Sequence, residues 1–174
     1  VAYRESAKKA DYILYLNRYH PIAIVEAKDN KHSISHGLQQ AKVYAEMMDV
    51  PFAYSSNGDG FQEYDFLTGA ERTLTMDEFP TVDALVARYK AERNDGQGLN
   101  AEEEKLIAQP FYSSQTTYAP RYYQRNAVNR TLDAIARGQD RSLLVMATGT
   151  GKTYTAFQIV YRLLSSGVKR KVLY

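Results

Sequence analysis

The 174-residue chain contains no cysteine and no tryptophan. Without thiols it can form neither a disulfide nor a thiolate zinc site. No apolar run is long enough to span a bilayer and no signal-like segment opens the chain, so the expectation is a soluble, cytoplasmic protein with no membrane partner. The formal net charge is only +2. That is too small to announce a nucleic-acid partner by itself, and any DNA contact must come from local clusters. What remains is an ordinary globular balance, 44% hydrophobic and 24% charged, with 15 tyrosines to which composition gives no role. The chain opens at Val1 and closes at Tyr174 inside a strand-like run, and reads as an interior piece of a longer polypeptide.

The front of the chain reads as α+β. Asp11 to Asn17 and Pro21 to Lys28 are strand-like, rich in aromatic and β-branched residues. The three residues between them leave room only for a hairpin. If Arg18-Tyr19 forms a two-residue turn, Asp11 falls opposite Glu26; a turn one residue longer would need a bulge to keep that pairing. Ser33 to Asp49 has Leu38, Ala41, Ala45 and Met48 at helical spacing, with Ser33 or Ser35 as candidate caps and Gly37 weakening the first turn. Pro51 to Ser56 and Phe61 to Phe66 read as strands around the turn Asn57-Gly58-Asp59-Gly60. An amphipathic helix over Thr81 to Glu92 follows Pro80.

Asn94-Asp95-Gly96-Gln97-Gly98 is a polar, glycine-bearing break. It divides the chain into residues 1–93, a linker over 94–117, and residues 118–174. Ala101 to Gln109 reads as a short helix with Glu102-Glu103-Glu104 as a solvated first turn. After Pro120 the pattern becomes helix (Arg121 to Arg137), buried strand (Ser142 to Met146), glycine loop, helix (Lys152 to Ser166) and a strand from Lys171. That order is a βαβ unit and implies a parallel sheet.

The loop is Ala147 to Thr153, ATGTGKT. Glycines let successive N–H groups converge on phosphate oxygens, and the following helix adds its positive end. Thr148, Gly149, Thr150 and Gly151 would form the cradle, Lys152 would reach the β and γ phosphates of ATP, and Thr153 would bind its Mg²⁺. Position 146 holds Met146 where the general phosphate-loop pattern has glycine. The match is to the A-x-T-G-x-G-K-T variant, which resembles motif I of superfamily 2 helicases and translocases. Upstream, Tyr118 to Gln124 (YAPRYYQ) resembles the adenine-reading glutamine element of such motors. That resemblance implies that Gln124 reads adenine and that Arg121 or Tyr118 packs nearby; an amide suits the base because it donates and accepts at once.

The run IAIVEAK, Ile22 to Lys28, ends an apolar strand with an acid and a base two positions apart, hence on one face. Asp11 together with Glu26-Ala27-Lys28 resembles the PD-(D/E)xK nuclease core. Phosphodiester hydrolysis needs a hard cation that prefers oxygen ligands, and an ammonium beside it. The resemblance makes Asp11 and Glu26 the Mg²⁺ ligands, with the Ala27 carbonyl as a third and Lys28 as the catalytic cation. Ala10 stands where the family name has proline. Gln40 and Tyr44 form a Q-x-x-x-Y with both side chains on one helical face. This resembles the RecB-like branch of these nucleases, where the helix lies over the active site and touches DNA. His32 and His36 are also four apart but have no third ligand nearby, which favours a surface or DNA-phosphate role. Lys8, Lys9, Lys31 and Lys42 either line a DNA groove or are solvated charge.

A RecB-like nuclease in front of a superfamily 2 motor, with its motifs in this order, resembles the R (motor) subunit of type I restriction enzymes. The fold this implies is an α/β nuclease core, a mixed sheet flanked by helices, followed by the start of a RecA-like parallel-sheet motor domain. The implied activity is ATP-driven translocation of double-stranded DNA followed by cleavage. The implied partners are methyltransferase (M) and specificity (S) subunits in the prokaryotic cytoplasm. Alternatives are another nuclease–helicase fusion, such as a single-chain restriction–modification enzyme or a repair nuclease–helicase, and a non-catalytic DNA-binding module fused to a motor. In such subunits the acidic Mg²⁺ motif of the ATPase, the second motor lobe and its arginine finger follow later in the chain, and a further nuclease carboxylate often precedes. Residues 1–174 alone are therefore expected to show no ATP hydrolysis; measurable turnover that survives Lys152→Ala would contradict this.

Overall fold

The structure, a computed structural model, describes residues 9–173, so Lys8 lies outside the described residues. The chain falls into two compact units, one of Val1–Leu16 with Pro21–Glu92, the other of Asn17–His20 with Arg93–Tyr174.

The first unit is built on a five-stranded mixed sheet in the order β1-β2-β3-β4-β5. Strands β1 (Tyr12–Asn17) and β2 (His20–Ala27) are joined through Arg18-Tyr19, the two-residue turn, with Tyr19 taking φ 68°. Strand β3 (Phe52–Ser56) runs parallel to β2, with Glu26 opposite Ser55. Parallel neighbours need a crossover, and helix α1 (Leu38–Met48) supplies it. Its buried face is Leu38, Ala41 and Ala45. The two alanines let the helix lie close to Ile24 and Ala53 of the sheet. Strands β4 (Gly60–Asp65) and β5 (Glu71–Thr75) complete the sheet as antiparallel neighbours. The polar strand β5 shows no alternation in its sequence, because as an exposed edge it has no face to bury.

Helix α1 is shorter than its periodicity suggests. Ser33 and Ser35 do not cap it; their carbonyls accept turn hydrogen bonds from the His36 and Leu38 N–H groups, and the N-cap is Gly37. The sheet also buries charge. On β4, Glu63 is fully buried and accepts hydrogen bonds from the Tyr54 hydroxyl, from Arg72, and from Arg88 of helix α2 (Val82–Glu92). Arg88 also donates to Asp65 at 2.7 Å, and its guanidinium lies 4.7 Å from the Phe52 ring centroid. Burial alone would raise the Glu63 carboxyl; the hydrogen bonds from Arg88, Tyr54 and Arg72 outweigh it and hold the group below its ordinary value.

The second unit is helical among the described residues. Helices α3 (Ala101–Ala108), α4 (Tyr122–Ala136) and α5 (Lys152–Ser165) enclose a core of Leu106, Phe111, Val128, Leu132, Ala136 and Leu163. Glu103 is not the solvated residue its charge run suggests. It is 1% exposed and serves Asn100 as a capping box, while also accepting from Asn94 and Arg137. The expected strand over residues 142–146 is not formed, and the stretch after Lys171 pairs with nothing among the described residues. Leu143 and Val145 are 87% and 88% exposed. A strand exists only through its neighbours, and the described residues offer it none. The parallel sheet of the expected βαβ unit is accordingly absent from them. No helix among the described residues is long and apolar enough to cross a membrane.

Removing Arg88 takes a guanidinium from both Glu63 and Asp65 and leaves Glu63 only Tyr54 and Arg72, so Arg88→Ala is expected to cost about 3 kcal/mol in urea denaturation. Because Glu63 and Asp65 are held below their ordinary values of 4.5 and 3.8, the stability they contribute is present above those values. It is lost as pH falls through the folded-state values. Glu63→Gln should flatten that acid limb; an unchanged limb would show that the cluster does not carry it.

Candidate functional site

Two constellations stand out, one in each unit. In the first, Glu26 is the last residue but one of β2, and its side chain is 1% exposed. The Asp11 N–H donates to Glu26 Oε1 at 3.3 Å, and Asp11 Oδ2 accepts from the Ala27 N–H at 2.9 Å. The hairpin thus delivers the two carboxylates to one spot. Lys28 Nζ lies 3.6 Å from Glu26 Oε2 and donates to Gln40 Oε1 at 3.0 Å. Gln40 Nε2 in turn donates to the Tyr44 hydroxyl at 3.2 Å. Asp11, Glu26, Lys28, Gln40 and Tyr44 therefore form one connected set at the start of β1, the end of β2 and along α1.

The electrostatics of the set are those of crowded carboxylates. Burial raises the Glu26 carboxyl above its ordinary value and the charge of Asp11 adds to this, while the Asp11 N–H and Lys28 act the other way. A hard divalent cation fits such a donor set, because it would neutralise the repulsion that the two acids suffer. Among the described residues no group of three His, Cys, Asp or Glu side chains comes together. Backbone and solvent oxygens would therefore have to complete the shell, the Ala27 carbonyl being the nearest in sequence.

Other sequence candidates sit at the margin. The His32 and His36 rings stack with centroids 4.2 Å apart, and His32 Nε2 is 3.7 Å from Asp29 Oδ1. The Lys42 ammonium sits 3.5 Å from the Tyr64 ring centroid and 3.5 Å from Glu71 Oε1.

In the second unit, Gly149 and Gly151 take φ 79° and 86°, and the loop turns directly into α5 at Lys152. Lys152 and Thr153 are exposed at that helix N-terminus. Lys152 Nζ lies over the loop itself, 3.5 Å from the Met146 carbonyl and 3.4 Å from that of Ala147. Thr150 Oγ1 donates to the Ala147 carbonyl at 2.6 Å. Gln124 touches the loop directly: its Oε1 accepts from the Arg121 N–H at the start of α4, and its Nε2 donates to the Thr150 carbonyl, both at 2.9 Å. The Arg121 side chain donates to Tyr123, and Tyr118 is exposed.

Two side chains on α5 escaped sequence reading. Gln158, fully buried, accepts from the N–H of Tyr112 and donates to its carbonyl, as a strand neighbour would. Arg162 donates to the Leu106 carbonyl and to Asn129 Oδ1. Burial lowers its pKa to about 10. In sequence both look like the polar side of an amphipathic helix, and nothing short of the tertiary contact marks them.

Residues 1–80 match the family described as type I restriction enzyme R protein N terminus (HSDR_N), and residues 117–174 match type III restriction enzyme, res subunit. Fold and family matches thus define a restriction-enzyme subunit that joins a nuclease-type front to a helicase-type continuation. The chain is 43% identical over its whole length to the type I restriction enzyme EcoAI endonuclease subunit of Escherichia coli, covering 22% of that protein. It is 25% identical over 95% of its length to the EcoKI endonuclease subunit of E. coli strain K12, covering 17% of it. It superposes with a TM-score of 0.79 at 42% identity on a fragment assigned to the HsdR subunit of a type I restriction enzyme from Vibrio vulnificus YJ016, with 91% of this chain and 29% of that one covered. The chain belongs to the R (HsdR) subunits of type I restriction enzymes, and spans about a fifth of the length of the curated relatives.

A Cβ at Gly151 would lie 2.4 Å from Gln124 Nε2, on a backbone that side chains rarely adopt. Gly151→Ala is expected to destabilise the second unit by about 1–3 kcal/mol. Denaturation of the chain, followed by circular dichroism, measures this, and an unchanged midpoint would refute it.

Proposed function

We propose that this chain carries the nuclease site and the first nucleotide-binding elements of a type I restriction R subunit. The whole subunit would move along double-stranded DNA at the expense of ATP and cut both strands, in the prokaryotic cytoplasm, beside methyltransferase and specificity subunits. The observation that carries this reading is the meeting of Asp11, Glu26 and Lys28 at the end of β2 with Gln40 beside them.

In this reading Asp11, Glu26 and the Ala27 carbonyl hold Mg²⁺, which when bound supplies an acidified water and draws charge from the phosphate. Glu26 and Gln40 hold the Lys28 ammonium at the site, where it orients the attacking water and stabilises the charged transition state. Gln40 and Tyr44 face DNA from α1. Motor chemistry is assigned to the loop: the N–H groups of Thr148 to Gly151 with Lys152 cradle the phosphates of ATP, Thr153 takes the second Mg²⁺, and Gln124 with Arg121 stands at the adenine end. The Gln124 contact with the loop carbonyl supports that assignment, since it keeps the amide at the lip of the phosphate site. In this reading residues 1–93 are the nuclease domain and 118–174 the start of the motor, while 94–117, the connection in sequence, packs with the second unit through α3.

Glu26→Ala and Lys28→Ala, made separately in the full-length subunit within its assembled enzyme, should each reduce DNA cleavage at least ~100-fold and leave ATP hydrolysis intact. Lys152→Ala should abolish hydrolysis and, with it, cleavage that depends on translocation. Cleavage that persists in Glu26→Ala with ATPase unchanged would remove the nuclease assignment.

A further inference from the structure

Helix α1 begins with an uncommon arrangement. Its N-cap, Gly37, has no side chain with which to satisfy the first turn. Instead the Gly37 N–H donates across to Ser55 Oγ on β3 at 3.0 Å, a buried hydrogen bond between residues 18 apart. Ser55 is 0% exposed and stands opposite Glu26 in the parallel register. The backbone of Gly37 thus sits on the sheet floor at the candidate nuclease site. A Cβ built there would lie 2.9 Å from Ser55 Oγ, 3.1 Å from Lys28 Cε and 3.2 Å from Glu26 Cβ. No other residue type fits without moving at least one of those groups.

From this geometry we infer that Ser55 is a positioning residue of the nuclease site. Its hydroxyl tethers the start of α1 to the sheet, and so sets where Gln40 meets Lys28. Gln40 lies one helical turn beyond Gly37, so a displacement of the helix start carries directly to the Gln40 amide. The Gln40 bond is what keeps the Lys28 ammonium beside Glu26 rather than in solvent. The Ser55 hydroxyl is bonded to the Gly37 N–H and not to either carboxylate; its effect runs through Gly37 and Gln40. The inference rests on the nuclease reading above and adds to it a residue outside the Asp, Glu-x-Lys and Q-x-x-x-Y motifs.

In the assembled full-length enzyme, Ser55→Ala should lower the single-turnover rate of DNA cleavage about 10- to 100-fold, as expected for a misplaced reacting group. ATP hydrolysis should stay at the wild-type rate. Because Ser55 acts through Gln40, Ser55→Ala combined with Gln40→Ala should be no slower than the slower single variant. Wild-type cleavage by Ser55→Ala, alongside an inactive Glu26→Ala control, would overturn the inference and leave the nuclease reading standing. Rate losses that multiply in the double variant would overturn it as well. Cleavage by the Glu26→Ala control would remove the nuclease reading, and the inference with it. Should Ser55→Ala lose ATPase through misfolding, Gly37→Ala decides. Slow cleavage with intact ATPase supports the tether, and wild-type cleavage refutes it.

Discussion

Everything at the front site depends on the parity of one strand. Side chains alternate along β2, and Lys28, one residue past its end, keeps the pairing through its N–H to the Ser56 carbonyl, so Glu26 and Lys28 share a face and whatever covers that face must accommodate both. The cover is the entrance to α1, and its fit requires a bare backbone at Gly37. The crossover that joins two parallel strands thereby also covers the Glu26 and Lys28 side chains. Its register on the sheet is linked to Ser55 on the neighbouring strand. A structural requirement, the parallel connection, and a chemical one, an amide beside an ammonium, are met by the same few residues.

The sheet contains two buried glutamates, and they are handled in opposite ways. Glu63 is surrounded by donors, two guanidinium groups and a phenol, and stays ionised. Glu26 faces another carboxylate and a single ammonium, and its proton is held more tightly than usual. Satisfied buried charge gives rigidity; under-compensated buried charge gives affinity for something positive. Glu63 belongs to the scaffold by this criterion, and Glu26 to the part of the molecule with chemistry left to do.

Much of the front unit was legible because its rules are local. The two-residue turn at Arg18-Tyr19 brought Asp11 to Glu26 by counting, and the four-residue spacing of Gln40 and Tyr44 put them on one helical face. Ser55 could not be read in this way, since a serine in an apolar strand looks like a tolerated small residue until its partner is known. Glu103 misled for a related reason: a run of three acids describes the average residue, whereas the capping box selects the middle one for burial. Gln158 and Arg162 were likewise hidden on a helix whose polar side is not its solvent side. The segment over 142–146 reads as a buried strand from its composition, but burial is a property of a pair of elements and not of one.

That last segment has a practical consequence. With Leu143 and Val145 almost fully open to water and no strand partner among the described residues, it leaves an apolar extended segment ready to add itself to any strand it meets. Concentrated preparations of residues 1–174 will therefore tend toward self-association through this segment, independent of anything the nuclease or nucleotide residues do. A charged residue placed at position 143 or 145 would keep such a sample dispersed for crystallisation or spectroscopy without touching either site.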